Sequence, residues 1–249
     1  MQRYFMEYPK LSIGDRVTFS KDQSHHIQRV LRMKTGDQVI GVDQNRGAFL
    51  LELIIDESIG ATVLESIDKV TELPVQVDFV CGLPKGSKLD HIVQKGSELG
   101  VFNVYPWQAE RSVSKWDSKK SGRKIERLQK IATEASEQSH RNHEVQVKSL
   151  LSTEDLLELS AEYDYVLVAY EESAKQGETS RLASIFTNLK DDDRILMIFG
   201  PEGGISEKEI EQFEELENVD LVGLGHRILR TETAPLFALS ALVYEMELR

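Results

Sequence analysis

The sequence predicts an α/β protein, in which a small β-rich unit precedes a domain built on a parallel sheet. Two observations predict it. From about residue 74, short apolar runs alternate with stretches of helical periodicity, the pattern of strands joined by crossover helices. Before that point, short alternating segments separated by turns dominate. The change of texture places a boundary near residues 70–74 and gives units of 1–72 and 73–249.

The elements follow in chain order. Leu11–Phe19 alternates apolar and polar residues, and Gln38–Asp43 runs into the turn Gln44-Asn45-Arg46-Gly47. Ala48–Ile55 and Ala61–Ile67 supply two more strands, and a helix over Ser24–Leu31, with Ser24 as N-cap, interrupts the series. In the second unit Val75–Leu83 is a strand, Ser87–Leu99 a helix closed by Gly100, and Val101–Tyr105 the next strand. Ile125, Leu128, Ile131, Ala132 and Ala135 form an apolar stripe at helical spacing. Ser152-x-x-Asp155 opens a helix ahead of the apolar strand Asp164–Ala169. Arg194–Phe199 is a strand, and Ser206-x-x-Glu209 is a capping box that starts the helix after it. Val219–Leu224 is the last strand and Thr233–Leu248 the last helix, with Pro235 tolerated in its first turn.

Composition narrows the class. The 249 residues are 40% hydrophobic and 29% charged, which suits a packed soluble domain and excludes disorder. The single cysteine, Cys81, excludes an intramolecular disulfide and a cysteine-based metal cluster, and its apolar setting Val77–Cys81 makes it a core thiol. No metal ligands are expected. No apolar run reaches membrane-spanning length and the N-terminus carries no apolar signal core, so a cytoplasmic protein without a membrane partner is expected. The net charge of −12 conceals a gradient: residues 1–34 carry +4 and 83–148 carry +5, while 149–249 carry −14. Attraction of phosphate depends on the local field, so a basic surface from the first and middle segments is compatible with that total. Ordinary solvated faces explain the same charges.

Two loops carry chemistry. Gly200-Pro201-Glu202-Gly203-Gly204 lies between a strand and a helix, and three glycines with a proline specify an unusual backbone path with little side-chain bulk. The carboxyl end of a parallel strand is where α/β proteins bind ligands, although a plain tight connection accounts for the loop equally well. Neither the phosphate-binding Gly-x-x-x-x-Gly-Lys-Ser/Thr pattern nor the dinucleotide Gly-x-Gly-x-x-Gly pattern is present. The second loop, Leu224–Pro235, mixes Arg230, Glu232 and Thr233 with Ile228 and Leu229, which suits an amphipathic ligand. Helix initiation explains Thr233 as N-cap and Glu232 beside the helix dipole, and leaves Arg230 unexplained.

Together the two loops resemble the signature of the SPOUT superfamily of methyltransferases. The closest likeness is to the family that makes 3-methyluridine in small-subunit ribosomal RNA. The resemblance covers nearly the whole chain. Arg3-Tyr4-Phe5 and His25–Met33 look like that family's PUA-like RNA-binding β-barrel. Lys85-Gly86, Asp90, Lys95 and Glu98–Val101 are similar to its first strand–helix unit, and Glu110-Arg111-Ser112 and Glu134–Arg141 match two further segments. The Gly-Pro-Glu-Gly-Gly and Ile-Leu-Arg-x-Glu-Thr-Ala motifs are the specific part. His140 stands where the family usually has glycine, and no proline precedes Val145-Gln146-Val147.

The resemblance implies a C-terminal trefoil knot, a homodimer, S-adenosylmethionine as cofactor, and 16S ribosomal RNA or the small ribosomal subunit as substrate. It places the cofactor among Ala169, Tyr170, Glu171, Gly200, Pro201, Glu202, Gly203, Gly204, Leu224, Gly225, Ile228, Leu229, Arg230, Thr233 and Ala234. RNA contacts are expected from Arg3, His25, His26, Arg29, Arg32, Arg111, Gln138 and Arg141. Methylation of a uracil ring nitrogen needs the base unpaired and its proton removed. Arg230 is the candidate for stabilising charge on the uracil oxygens, and Glu232 or Glu202 for accepting the proton. Two other readings compete: a sister SPOUT enzyme acting on a ribose or a transfer RNA base, and a non-catalytic RNA-binding assembly factor. The barrel and the Gln138–Arg141 segment argue against the first, and the two loops against the second.

Overall fold

The structure, a computed structural model, describes residues 1–69, 71–172 and 180–249. The chain forms two compact units, one of Met1–Glu72 with Ser136–Glu144, the other of Leu73–Ala135 with Val145–Arg249.

In the first unit five strands hydrogen-bond in the order β1-β3-β4-β5-β2: β1 (Arg3–Phe5), β2 (Arg16–Thr18), β3 (Gln38–Val42), β4 (Ala48–Ile55) and β5 (Ile59–Ile67). β1 runs parallel to β3, and the other pairs are antiparallel. No pairing among the described residues joins β2 to β1, so the unit is a five-stranded sheet with two edges. Tyr4, Val17, Ile27, Val39, Leu51, Leu53 and Val63 fill its core. Leu11–Phe19 is shorter as a strand than its alternation predicts. Ser12–Asp15 closes a turn instead, with Gly14 at φ +91° and the Asp15 carboxylate accepting the Ser12 N–H at 2.8 Å. The helix also starts earlier than expected. α1 (Lys21–His25) is capped by Ser20, not Ser24: Ser20 Oγ accepts the Gln23 N–H at 3.2 Å and Gln23 Oε1 accepts the Ser20 N–H at 3.0 Å. A wider π-type turn, His26–Val30, continues it.

Residues 136–144, which the sequence places in the second domain, pack with the first. Two buried arginines hold them. Arg3, 2% exposed, donates to the Arg141 carbonyl at 2.8 Å and to Asn142 Oδ1. Arg141, 3% exposed, pairs with Glu72, whose Oε1 also accepts the N–H groups of Asn142 and His143 at 2.9 and 3.1 Å. These ties join residues about 70 and 140 positions apart, so a single cut in the sequence cannot describe the division. His140 sits at φ +62°, in the left-handed region that favours glycine.

The second unit is a six-stranded parallel sheet in the order β11-β9-β10-β6-β7-β8. Its strands are β6 (Gln76–Gly82), β7 (Asn103–Trp107), β8 (Gln146–Val147), β9 (Tyr165–Ala169), β10 (Arg194–Phe199) and β11 (Val219–Val222). The described helices are α2 (Lys88–Leu99), α3 (Ser118–Gln138), α4 (Thr153–Ser160), α5 (Arg181–Asn188), α6 (Glu207–Glu214) and α7 (Ala234–Val243). Val77, Phe79, Cys81, Ile195, Met197 and Phe199 pack on one face with α2, α3, α5 and α7. Val80, Leu196 and Ile198 pack on the other with α4 and α6. Burial of both faces explains why these strands are nearly continuous apolar runs. The exception is Asp78, 3% exposed, which accepts from the Asn103 N–H and Nδ2 at 2.9 and 3.0 Å and from the Tyr163 hydroxyl at 2.5 Å. Cys81 is a core thiol as expected, and burial pushes its pKa up to about 12. β8 is only two residues long, and α5 lacks the capping box that marks the starts of α4 and α6, so neither is read from the sequence. Among the described residues no helix is long and apolar enough to cross a membrane.

Burial opposes charge on Glu72, but Arg141 and the Asn142 and His143 N–H groups outweigh it and hold its pKa below the ordinary carboxylate value. A depressed pKa stabilises the fold above the unfolded value and loses that stabilisation as pH falls through the folded one. Glu72→Gln should therefore cost about 3 kcal/mol at pH 7, the order expected when half of a buried pair is removed. Urea unfolding should show this deficit constant above about pH 5 and shrinking as the pH drops below about 4.3.

Candidate functional site

The site begins where the sheet ends. Val222 pairs with Ala169, Ala169 with Phe199 and Phe199 with Cys81, so four adjacent strands terminate at one level. Two long loops leave from that level, Gly200–Gly204 after β10 and residues 223–233 after β11. Close packing dictates the composition of the first. A Cβ on Gly82, the last residue of β6, would lie 2.5 Å from the Pro201 ring, and one on Gly200 would lie 2.9 Å from Ile205. One on Gly203 would come within 3.0 Å of the Arg111 carbonyl and Cβ. Gly204, at φ +73°, closes the turn by donating to the Pro201 carbonyl at 2.9 Å. The loop is anchored by Ser206 and Glu209, whose capping box is present as predicted. Glu209 is 3% exposed and spends its carboxylate on the Glu110 N–H at 2.8 Å, on Thr153 Oγ1 and on Ser206. The strands thus hold the crest of the loop from below, and the Glu110–Ser112 turn holds it from the side.

Between the loops lies a cavity of about 420 Å³, in the size range of small-molecule sites. The structure brings Ala169, Tyr170, Glu171, Gly200, Pro201, Glu202, Gly203, Gly204, Leu224, Gly225, Ile228, Leu229 and Ala234 together around it. Arg230 and Thr233, also expected at the cofactor, are not among its lining residues. Arg230 is exposed, and its carbonyl accepts the N–H groups of Thr233 and Ala234 at 2.8 and 3.0 Å. Thr233 precedes α7 but makes no side-chain capping bond. Sequence reasoning missed Phe199 and Val222, which follow from the shared strand-end level, and Arg227, Thr231, Glu172, Ile205 and Glu207. It also missed Arg111 as a lining residue, having placed it at the RNA. Arg111 reaches the wall because the glycine loop packs on its backbone, and its guanidinium donates to the Ile205 carbonyl at 3.3 Å.

The two carboxylates proposed as proton acceptors meet a group absent from the expected set. Lys88, the first residue of α2, places Nζ 3.0 Å from Glu202 Oε1 and 3.4 Å from Glu232 Oε2. Glu202 also accepts the Lys85 N–H at 3.1 Å. Burial works against the charge of Glu202, but the Lys85 N–H and Lys88 outweigh it, so its pKa lies below the ordinary value. Glu232 is also lowered, first by its own backbone N–H and then, against burial, by Lys88 and Arg230. Its Oε2 is buried and has no hydrogen bond, only the longer ion pair.

The expected RNA contacts separate into two sets. Arg3 and Arg141 are buried and engaged as described above, so they brace the first unit and offer no free guanidinium. His25, Arg29, Arg32 and Gln138 are exposed, while His26 is half-buried with Nδ1 3.0 Å from the Tyr4 hydroxyl.

The profile of the RNA methyltransferase domain matches residues 71–243, and that of the RNA methyltransferase PUA domain matches residues 19–64. The chain belongs to this RNA methyltransferase family. It is 46% identical over 252 residues to ribosomal RNA small subunit methyltransferase E of Bacillus subtilis (strain 168), covering 100% of this chain and 98% of the relative. To the protein of the same name from Synechocystis sp. it is 34% identical over 232 residues, covering 93% of this chain and 74% of the relative. The crystal structure of ribosomal RNA small subunit methyltransferase E from Neisseria gonorrhoeae bound to S-adenosyl methionine superposes with a TM-score of 0.81 at 27% identity, covering 98% and 97% of the two chains. A crystal structure of a hypothetical protein superposes with a TM-score of 0.90 at 42% identity over 99% of each chain. The cavity lies wholly within the matched methyltransferase domain.

In this domain Gly203→Val should cost about 1–3 kcal/mol, because the backbone of Arg111 cannot yield as a flexible side chain does. Gly122 in α3 meets nothing within 4 Å, so Gly122→Ala should instead stabilise by about 0.5–1 kcal/mol through helix propensity. Urea titrations of the two variants check the opposite signs.

Proposed function

We propose that this chain transfers a methyl group from S-adenosylmethionine to ring nitrogen 3 of a uridine in 16S ribosomal RNA. The observation that carries the reading is the cavity at the strand ends, walled by the Gly200–Gly204 loop and the 223–233 loop in a chain of the RNA methyltransferase family. The residues present fit the cofactor. Gly200, Gly203, Gly204 and Gly225 line the cavity, where the lack of side chains would let adenine and ribose approach the backbone closely. Glu171, Glu172, Glu202 and Glu207 outnumber Arg111 and Arg227 in the lining, which favours a cationic ligand. When bound, the cofactor supplies an activated methyl group, and the protein's task is to position and deprotonate the base.

Glu232 is assigned as the proton acceptor for the uracil N–H. Its carboxylate is held in the charged form at neutral pH, and Oε2 has no hydrogen bond to lose. Arg230, two residues away and exposed beyond the cavity wall, is assigned to the uracil oxygen that gains charge as the proton leaves. Exposed Arg29, Arg32, His25 and Gln138 supply RNA contacts. The trefoil knot and cytoplasmic location implied by the resemblance belong to the same reading. Single-turnover methylation of 16S RNA, with the product nucleoside identified by mass spectrometry, tests it. Glu232→Gln and Arg230→Ala should each lower the rate at saturating cofactor by about 10²–10³, and Arg230→Ala should leave cofactor affinity nearly unchanged. Product methylated on ribose, or methylation of transfer RNA instead, would overturn the assignment.

The homodimer is part of the proposal and rests on α7. Ala234–Val243 is apolar apart from the exposed Ser240, and its buried residues Pro235, Ala238, Leu239 and Leu242 account for only one face. Phe237, Ala241, Tyr244 and Leu248 follow at helical spacing, with Phe237, Tyr244 and Leu248 exposed by 41%, 58% and 72%. A second copy seated on this stripe would bury it. Sedimentation should find wild type as a dimer and the double variant Tyr244→Glu, Leu248→Glu as a folded monomer.

A further inference from the structure

Helix rules do not explain Lys88. It is the first residue of α2, where the helix dipole disfavours a cation, and Ser87 before it makes no side-chain capping bond. A carboxylate would suit the position better, and Asp90 in the same turn is one. What explains the lysine is tertiary. Its ammonium stands between Glu202, on the glycine loop, and Glu232, on the loop leading into α7. The two segments are 30 residues apart in sequence, and each forms part of the wall around the cavity. The direct bond to Glu202 at 3.0 Å, with the Lys85 N–H on the same oxygen, fastens the glycine loop to the start of α2. The contact to Glu232 at 3.4 Å fastens the second loop to the same nitrogen. Without the ammonium, two carboxylates would face each other across the gap and repel.

We propose that Lys88 is a positioning residue of the methyl transfer, an ionic strap that holds the two cofactor-binding loops at the spacing the cofactor needs. The inference rests on the reading of the cavity as the S-adenosylmethionine site. One ammonium between two carboxylates leaves the cluster with a single negative charge, opposite in sign to the sulfonium. The strap therefore draws the loops together without making the wall cationic. Lys88 itself touches neither methyl group nor base in this proposal. It acts through the loops, so its loss should weaken cofactor capture more than it slows the reaction at saturation.

The test uses the full-length enzyme as wild type, Lys88→Met and Lys88→Arg. Calorimetry with S-adenosylmethionine, steady-state kinetics on 16S RNA and thermal unfolding are measured for each. Lys88→Met should raise Kd and KM for the cofactor about tenfold, while kcat falls less than about threefold and Tm changes little, since a partly exposed ion pair adds little to global stability. Lys88→Arg, which keeps the charge and reaches both carboxylates, should recover most of the affinity. Unchanged cofactor affinity in Lys88→Met overturns the strap, as does an equal fall in affinity and Tm in both variants, which would make Lys88 a structural residue of α2. Absence of cofactor binding by wild type would overturn the cavity reading itself. Binding by wild type with equal binding by Lys88→Met would overturn only the strap.

Discussion

The hydrogen-bonded register of β11, β9, β10 and β6 sets the geometry on which the site depends. Because Val222, Ala169, Phe199 and Cys81 align at one level, the loops after three different strands start side by side and face the same space. Parallel strands buried on both faces hold that level rigidly, since a slip would expose apolar residues on one side and strand Asp78 on the other. Ligand-binding loops in such sheets gain their precision from the scaffold beneath them, not from the loops themselves.

Crowding then explains the unusual loop composition. The glycines at 82, 200 and 203 are places where backbone passes against Pro201, Ile205 and Arg111 at distances a Cβ would not tolerate. Glu209 completes the arrangement by gathering the Glu110 N–H, Thr153 and Ser206 onto one buried carboxylate. A change at any of these contacts reaches the cavity through Arg111 or the loop crest, which is why residues with no place at the wall still shape it.

In the first unit the same economy operates with charge. Arg3 and Arg141 lie in motifs that resemble RNA-binding segments, yet both guanidinium groups are consumed internally. They fix residues 136–144 to the five-stranded sheet, whereas Arg29, Arg32 and Gln138 are exposed. Buried arginine is costly unless partnered, and here Glu72 pairs with Arg141 while the Arg141 carbonyl and Asn142 Oδ1 accept from Arg3, whose Nε is buried without a hydrogen bond.

Much of this was legible in the sequence. Ser152-x-x-Asp155 and Ser206-x-x-Glu209 state their helix starts through bonds between neighbours, Gly100 closes α2 in the left-handed conformation, and β4 and β10 keep the predicted bounds. Such signals are local, so composition and spacing suffice to determine them. The two loops that wall the cavity were legible for the same reason, as unusual residues in short runs. The start of α1 was misplaced because two serines four residues apart compete, and only Ser20 has a glutamine three residues on. What the sequence could not determine are meetings between distant segments. Lys88 with Glu202 and Glu232, Arg111 beneath Gly203, and Arg3 with Arg141 join residues brought together only by folding. Nothing in the chain's one-dimensional order distinguishes an arginine that will be buried against a carbonyl from one that will face solvent. Burial and partner choice depend on the three-dimensional packing, so the tertiary structure alone decided which charges serve the fold and which remain for a ligand.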